Sequence, residues 1–298
     1  MPDKLSASEI QDYLSSEIKK ELHIHTFREI DSTNSEAKRL AVETGSFRGS
    51  DGELSEKGKT AHLSLFASDS QTSGKGRLGR TFVSAKDCGV YFSLLYSPRG
   101  GVNNPALYTA AAAVAVIRAL SKLYGEQGQI KWVNDVFLGG KKVCGILVEG
   151  IANFETGIID AAVIGIGINV YQNKKLSGDI TKIAGSIEEA KCNKGEAFVS
   201  AGKNKLIAEV VKNLIDFYEA FENADTEKTT AMINEYREAS LLKGKKVAVN
   251  PVAGSSGQTY EATVKDIDEQ MRLVVETESG EIRSLSSGEV SLHSYDFI

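Results

Sequence analysis

The chain predicts an α+β fold: a mixed sheet packed with helices, followed by a small β module. Three observations predict it. Helical and strand-like segments mix through the first 240 residues without the steady strand–helix–strand rhythm of a doubly wound sheet. Residues 105–124, "PALYTAAAAVAVIRALSKLY", are apolar on most faces, as a helix buried against a sheet is. Beyond residue 240 only short strand-like runs remain, separated by glycine, asparagine and acidic turn residues.

Ser6-x-x-Glu9 has the form of a capping box, and Ile10, Leu14 and Ile18 follow at helical spacing, so one short amphipathic helix is expected first. Thr33-x-x-Glu36 leads into "AKRLAVET", a second helix that Gly45 ends. The polar, Gly/Ser-rich residues 45–60 read as a mobile surface loop with no assigned role. "HLSLFAS" and "VYFSLLYS" read as strands flanking a glycine-rich segment, and "VCGILVE" and "GIIDAAVIGIGINV" as core strands. Pro105 suits a first helical turn. From Phe198 to Phe221, Ile207, Val210, Val211, Leu214, Phe217 and Tyr218 keep helical spacing, and "ENADTEKTTAMINEYREAS" is a polar helix. "KKVAVN", "TYEATVKDID", "RLVVETESG" and "EIRSLSSGEV" then form an all-β module of roughly 50 residues, a size that folds alone but marginally. The expected units are 1–22, 23–240 and 241–298.

With 298 residues, 41% of them hydrophobic and 25% charged, the chain can bury a sizeable core. A formal net charge of -5 leaves no general nucleic-acid footprint, so a bound anion must be held by local cations. Cys88, Cys144 and Cys192 form no CxxC pair, which argues for reduced thiols rather than a disulfide framework or zinc site. The four histidines are scattered and read as structural; no metal ligand set is expected. The first residues lack a leader's apolar stretch and no run is read as a membrane span, so the expected location is cytoplasmic.

Between Gln71 and Arg80 lie Lys75, Arg77 and Arg80, interleaved with Gly74, Gly76 and Gly79 and free of acids. Such a backbone can take positive φ and approach a ligand closely, while the guanidinium forks suit phosphate or carboxylate oxygens. A solvated basic turn fits the same string. No helix follows Arg80, so this is not a Rossmann fingerprint. "KWVNDVFLGGKKVCGILVE" puts Lys131, Asn134, Asp135 and Lys142 near the ends of short extended segments joined at Gly139-Gly140. "GIGINV" puts Asn169 at the end of an apolar strand whose glycines let another group come close. Each also has a plain structural reading: Trp132 as core, Gly139-Gly140 as a hairpin turn, Asn169 as a strand terminator.

In order, "DSTN", "SQTSGKGRLGR", "KWVNDV", "GKKVCGILVE" and "GIGINV" resemble the successive motifs of biotin protein ligases, over roughly residues 24–292. With only residues 1–22 before the match, the resemblance is to the short class without a DNA-binding domain. It implies a catalytic domain like that of class II synthetases and biotinyl/lipoyl ligases, and an SH3-like C-terminal β-barrel. It also implies ATP, Mg2+ and biotin. Biotin is activated to biotinyl-5′-AMP with release of pyrophosphate, then transferred to a lysine of a biotin carboxyl carrier protein, the biotinyl domain of acetyl-CoA carboxylase or a related carboxylase. A homodimer is an assembly it allows; DNA and membrane are not expected partners.

Carried over residue by residue, the resemblance implies that Arg77 and Arg80, with Lys75, stabilise the charge that develops as carboxylate meets phosphate. Lys142 corresponds to the lysine that reaches both reacting groups, and Lys131 faces the phosphates. Ser32, Thr33 and Gln71 meet the ureido ring, with Asn34 assisting. Gly74, Gly76 and Gly145 belong to the ligand-binding backbone, and Trp132, Asn134 and Asn169 to the adenylate side. Asp135 orients the incoming amine, or is simply a turn or capping carboxylate. Cys144 is a small apolar strand residue. The glycine loop is expected to be mobile when empty and to fold over the adenylate, keeping water from a reactive anhydride. Two positions depart from the family: Val133 stands where proline is common, which loosens the Asn134-Asp135 turn, and Lys75 where arginine is common, which removes a bidentate fork. The alternatives are a lipoate or octanoate ligase or transferase of the same fold, a non-catalytic biotin-responsive regulator, and a nucleic-acid-binding module, which the acidic charge disfavours.

Overall fold

The computed structural model describes residues 4–49, 51–174, 178–251, 258–286 and 290–294. Two short helices, α1 (Ala7–Asp12) and α2 (Ser16–Glu21), open the chain where one was expected. Ser15 is the cause: its hydroxyl accepts from the Ile18 N–H and starts a second helix. The capping box is also half formed. Ser6 Oγ accepts from Glu9 N, but the Glu9 carboxylate takes Asn204 Nδ2 at 2.6 Å, and Asn204 Oδ1 accepts the Ser6 N–H at 3.0 Å.

Strand β1 (His23–Phe27) leads to α3 (Thr33–Thr44), which Ser32 rather than Thr33 caps, and which Gly45 ends at φ +71°. Residues 45–60 are not simply a surface loop. Phe47 is fully buried, and the segment runs into α4 (Glu56–Ala61). Gly58 permits that packing, since a Cβ there would lie 2.1 Å from the Phe47 carbonyl oxygen. There follow β2 (Ser64–Ser68), β3 (Gly89–Tyr96), α5 (Pro105–Tyr124), β4 (Gln129–Lys131), β5 (Asp135–Leu138), β6 (Lys141–Ala152) and β7 (Ile159–Asn169). Helices α6 (Ile180–Ile183), α7 (Ile187–Asn193), α8 (Lys203–Glu222) and α9 (Thr226–Glu238) complete this part.

The seven strands form one sheet in the order β1-β2-β3-β7-β6-β5-β4, in which only β1 and β2 pair parallel. The fold is α+β with a mixed sheet, as expected. One face is covered by α5, capped by Asn104 with Pro105 in its first turn, and backed by α8. Helix α5 is long and apolar enough to cross a membrane by length and composition, against the expectation that no run would be. Two-thirds of its apolar window (67%) is buried inside the fold, and Ala110 to Val116 are fully enclosed. The opposite face carries a smaller core, in which Ala37 and Ala41 of α3 meet Phe47, Phe66, Leu95 and Val163. His25 stacks on Phe66, and His62 Nδ1 accepts the Ser97 N–H at 3.1 Å, so both serve structure.

Beyond α9 the chain forms β8 (Lys246–Pro251), β9 (Tyr260–Ile267), β10 (Leu273–Thr277), β11 (Ile282–Leu285) and β12 (Val290–Ser294). These make an antiparallel sheet in the order β11-β10-β9-β8-β12. Within the expected strand "EIRSLSSGEV", positions 287–289 lie outside the described residues, as does the His293 side chain. Two hydrogen bonds join the sheets' surroundings: Trp132 Nε1 donates to Met271 O at 2.9 Å, and Arg237 Nε to Ile267 O at 2.6 Å.

Candidate active site

Strand register builds the floor of the site. On the face away from α5, Ser93 of β3, Gly165 of β7 and Leu147 of β6 form one row across the sheet, and Tyr91, Gly167 and Gly145 the next. A Cβ at Gly165 would lie 2.0 Å from Asn34 Oδ1, and one at Gly167 would lie 2.5 Å from the Phe82 ring. Gly145 is nearly as tight, at 2.9 Å from the same ring. The strand glycines therefore admit the chain's own side chains as well as leaving room above the sheet.

A cavity of about 370 Å³ stands on this floor. At one end the first turn of α3 presents Ser32, Thr33 and Asn34, all buried. Gln71 Oε1 accepts from the Thr33 N–H at 2.8 Å and lies 3.2 Å from its hydroxyl, while Gln71 Nε2 donates to Ser84 Oγ at 2.6 Å. The Ser93 hydroxyl bridges Thr33 Oγ1 at 2.7 Å and Asn34 Oδ1 at 2.6 Å, and Asn34 Nδ2 donates to Glu149 Oε2 at 2.8 Å. Burial pushes the Glu149 carboxyl up, yet the Asn34 amide and the paired Lys38 ammonium hold it below its ordinary value. The Gln71 and Asn34 amides and the Thr33 and Ser93 hydroxyls are thus held by partners, and such an array of amides and hydroxyls suits a neutral polar ligand that both donates and accepts.

The other end is cationic. The glycine loop is a narrow hairpin in which Gly76 N donates to Arg80 O at 2.7 Å and Phe82 N to Gly74 O at 2.9 Å. Leu78 and Gly79 take positive φ at its tip. Lys75, Arg77 and Arg80 on the hairpin meet Lys131 and Lys142 on the wall, against one carboxylate, Asp135, among the described lining residues. Lys142 Nζ lies 2.7 Å from Asp135 Oδ1, and Arg77 Nη1 donates to Asn134 Oδ1 at 3.1 Å. Burial pulls the Lys131 ammonium below its ordinary range; Lys142 and Arg80 add to this and Asp135 opposes it. The Arg77 guanidinium is likewise lowered by burial, with Asp135 opposing and Arg80 adding. Packing like charges into a half-buried space is unfavourable until an anion enters, so this end is built for one.

The Asn134-Asp135 turn is firmer than Val133 led one to expect. The Tyr236 hydroxyl donates to Val133 O at 3.0 Å, Asn134 Nδ2 to Ile146 O at 2.8 Å, and Ile146 N to Asn134 O at 3.0 Å. The Trp132–Val133 peptide is cis. Trp132 is buried and lines the cavity, while its indole N–H is spent on Met271 O.

Of the expected site residues, the cavity gathers all but two. Gly74 lies buried beneath the hairpin, where a Cβ would meet Phe82 O at 2.4 Å and Ser84 Oγ at 2.7 Å. Asn169 lines a second cavity of about 310 Å³, bounded also by Tyr171, Gly185 and Ser186, where its amide donates to Gly185 O at 3.0 Å. The two cavities share Thr81, Phe82, Lys142 and Ile183, so Lys142 stands on the wall between them. Sequence reasoning missed Phe82, Ser93 and Glu149. An aromatic two residues past a cationic loop was a usable signal for Phe82; Ser93 and Glu149 had none, because only strand register brings them to the site. Among the described residues no three His, Cys, Asp or Glu side chains gather to hold a metal ion. Burial pushes the Cys144 thiol far up, consistent with an inert strand residue.

Residues 54–169 match the Biotin/lipoate A/B protein ligase family, and residues 251–293 match the Biotin protein ligase C terminal domain. The bifunctional ligase/repressor BirA of Bacillus subtilis is 29% identical over 98% of this chain and 80% of its own length. The biotin--[acetyl-CoA-carboxylase] ligase of Paracoccus denitrificans is 34% identical over 47% of this chain and 51% of its own. Among solved structures, the biotin protein ligase from Aquifex aeolicus in complex with biotin and ATP superposes with a TM-score of 0.69 at 25% identity, covering 91% of this chain and 99% of that one. Both parts of the chain, the glycine-floored cavity on the mixed sheet and the small antiparallel sheet behind Trp132, thus have the same likeness, the one to the biotin/lipoate ligase family and the other to the C-terminal domain of biotin protein ligases.

Proposed function

We propose that this chain is an ATP-dependent biotin protein ligase. A biotin carboxylate oxygen attacks the α-phosphorus of ATP, the bond to the bridging oxygen breaks, and pyrophosphate leaves. An amine nitrogen of a carrier lysine, having lost its proton, then attacks the acyl carbon, and AMP leaves as the C–O bond breaks. The observation that carries this reading is the polarity of the first cavity: a neutral hydrogen-bonding end at Thr33 and Gln71, and five cations around one carboxylate at the other. Two anions that repel must meet there, and fixed positive charge in a half-buried space offsets that repulsion.

In this reading Ser32, Thr33, Gln71 and Asn34 receive the ureido ring, with Gly145 in the floor beneath it. Lys75, Arg77, Arg80 and Lys131 hold phosphate and carboxylate oxygens, and Gly74 and Gly76 let the hairpin backbone approach them. Lys142, on the wall shared by both cavities, touches both reacting groups. Asn169 serves the nucleoside from the second cavity, and Trp132 and Asn134 border the phosphates. Asp135 holds Lys142 and orients the incoming amine. Magnesium, expected with the nucleotide, would be met by phosphate oxygens and by Asp135, the one carboxylate among the described lining residues, and would neutralise phosphate charge. The carrier is a biotinyl domain, that of acetyl-CoA carboxylase or a related carboxylase, and residues 23–240 and 241–298 are the catalytic and C-terminal units.

The test is pyrophosphate exchange into ATP with biotin, lipoate and octanoate in parallel. Exchange dependent on biotin alone is expected. Exchange with lipoate or octanoate instead would give the activity to the lipoate branch of the fold. Arg77→Ala is expected to lower biotin-dependent exchange by about 100-fold, the loss usual when one donor to a developing oxyanion is removed, while the fold is kept.

A further inference from the structure

We propose that Lys203 is a positioning residue for the biotin end of the site, acting through Asp69; this rests on the ligase reading above. Lys203 is the first residue of α8, capped only by Gly202, and its side chain is 1% exposed. A lysine is poorly placed there for stability. Its ammonium has left water, and it faces the positive end of a helix dipole. Its partner is Asp69 Oδ1 at 2.9 Å, a carboxylate itself only 15% exposed. Buried ion pairs of this kind add little net stability, so what they hold in place is the better account of them.

Asp69 is the first residue beyond β2, where the chain leaves the sheet for the substrate loop, two residues before Gln71. The strand pairing with β1 ends at Phe27 opposite Ser68. From there each residue is tied. Ser68 Oγ donates to Ser70 O at 2.7 Å, Asp69 N to Phe27 O at 3.1 Å, Ser70 Oγ to Glu29 Oε2 at 3.2 Å, and Gln71 N to Ser84 O at 3.1 Å. Phe27 and Glu29 precede the cavity-lining Ser32, and Ser84 follows the cavity-lining Phe82. Lys203 ties the run to α8, a 20-residue helix whose Leu206, Ile207, Val210 and Val211 are fully buried. The ion pair therefore references the start of the loop, and with it the Gln71 amide that grips Thr33, to the core. Among the described residues Lys203 makes no hydrogen bond or ion pair to Lys142 or Asn169, which bond Asp135 and Gly185 instead, so its influence is assigned to the biotin end and not to the nucleotide.

Biotin and ATP binding to the full chain are measured by calorimetry for the wild type, Lys203→Met, Asp69→Asn and the double variant, with Tm for each. Each single variant is expected to weaken biotin about tenfold, as misplaced contacts do, and to leave ATP within about twofold. The double variant is expected to bind biotin no more weakly than the weaker single, because both remove one contact. Asp69→Asn keeps the side-chain shape and an acceptor oxygen, so it carries the test if Lys203→Met does not fold. Unchanged biotin affinity in Asp69→Asn despite a lower Tm overturns the proposal, since the pair is then structural alone. Equal weakening of biotin and ATP overturns it too. A wild-type chain that binds no biotin sinks the ligase reading itself, and this proposal with it.

Discussion

The two sides of strand β7 make the instructive comparison. Its even-numbered residues Ala162, Ile164, Ile166 and Ile168 all enter the large core beneath α5, whereas the odd-numbered Ala161 and Val163 join the smaller core and then give way to Gly165, Gly167 and Asn169. Neighbouring residues on one backbone thus do different work. The isoleucines supply area to bury, and the glycines supply its absence, into which Asn34 and Phe82 fit. A strand's period of two is what allows this: stability can be written on one parity and chemistry on the other, with no compromise at any single position.

That separation can be broken from either side. The largest change in stability is expected from Ile164→Ala, which removes a fully buried side chain from the even face and costs about 2–5 kcal/mol in denaturant unfolding. Its biotin-dependent exchange, measured well below the unfolding midpoint, should match the wild type; a parallel loss would mean the two parities are not independent. Gly165→Ala should do the converse. Its Cβ would fall 2.0 Å from Asn34 Oδ1, so the amide must move, and exchange should fall by about 100-fold with a far smaller stability change than Ile164→Ala. Activity retained in that variant would show that Asn34 and the floor are not the substrate surface.

The smallest expected effect is one of pH and lies wholly on the core side. His62 packs 4.8 Å from the Tyr96 ring, and burial lowers its pKa from the ordinary 6.5, Arg48 adding to this and Glu222 and Glu21 opposing. The unfolded chain therefore takes up this proton first, so stability falls as pH drops through about 6.5 towards the lower folded value. His62→Gln should flatten the decline of Tm below neutral pH, though not abolish it, because burial lowers His25 in the same direction. An unchanged slope would assign the effect elsewhere.

Much of this was legible in the sequence because the signals were local. Proline at the start of α5, Gly45 at the end of α3, the Gly139-Gly140 turn and the alternation in "GIGINV" each state a backbone conformation or a parity within a few residues. The hairpin cations were legible too, since no acid dilutes them. What escaped depended on distance. Ser93 and Glu149 are unremarkable within their own strands, and only the alignment of β3 and β6 against β7 sets them around Asn34. Phe47 sat in a polar stretch whose composition outweighed one aromatic, yet that ring closes the smaller core. That Asn169, expected on the adenylate side, lines a cavity apart from that of Trp132 and Asn134 also needed the fold, since it ends its strand past Phe82.

The chain contains one tryptophan, and it stands where its indole ring walls the first cavity while its N–H is held by Met271, beside β10 of the second sheet. The protein thus carries a built-in optical reporter at its junction. Excited selectively, Trp132 answers in emission wavelength when the indole loses its carbonyl partner and in quenching when an aromatic or charged ligand arrives beside it. Arrival of substrate and loosening of the C-terminal sheet can be followed in real time, in separate signals, without a label or a substitution.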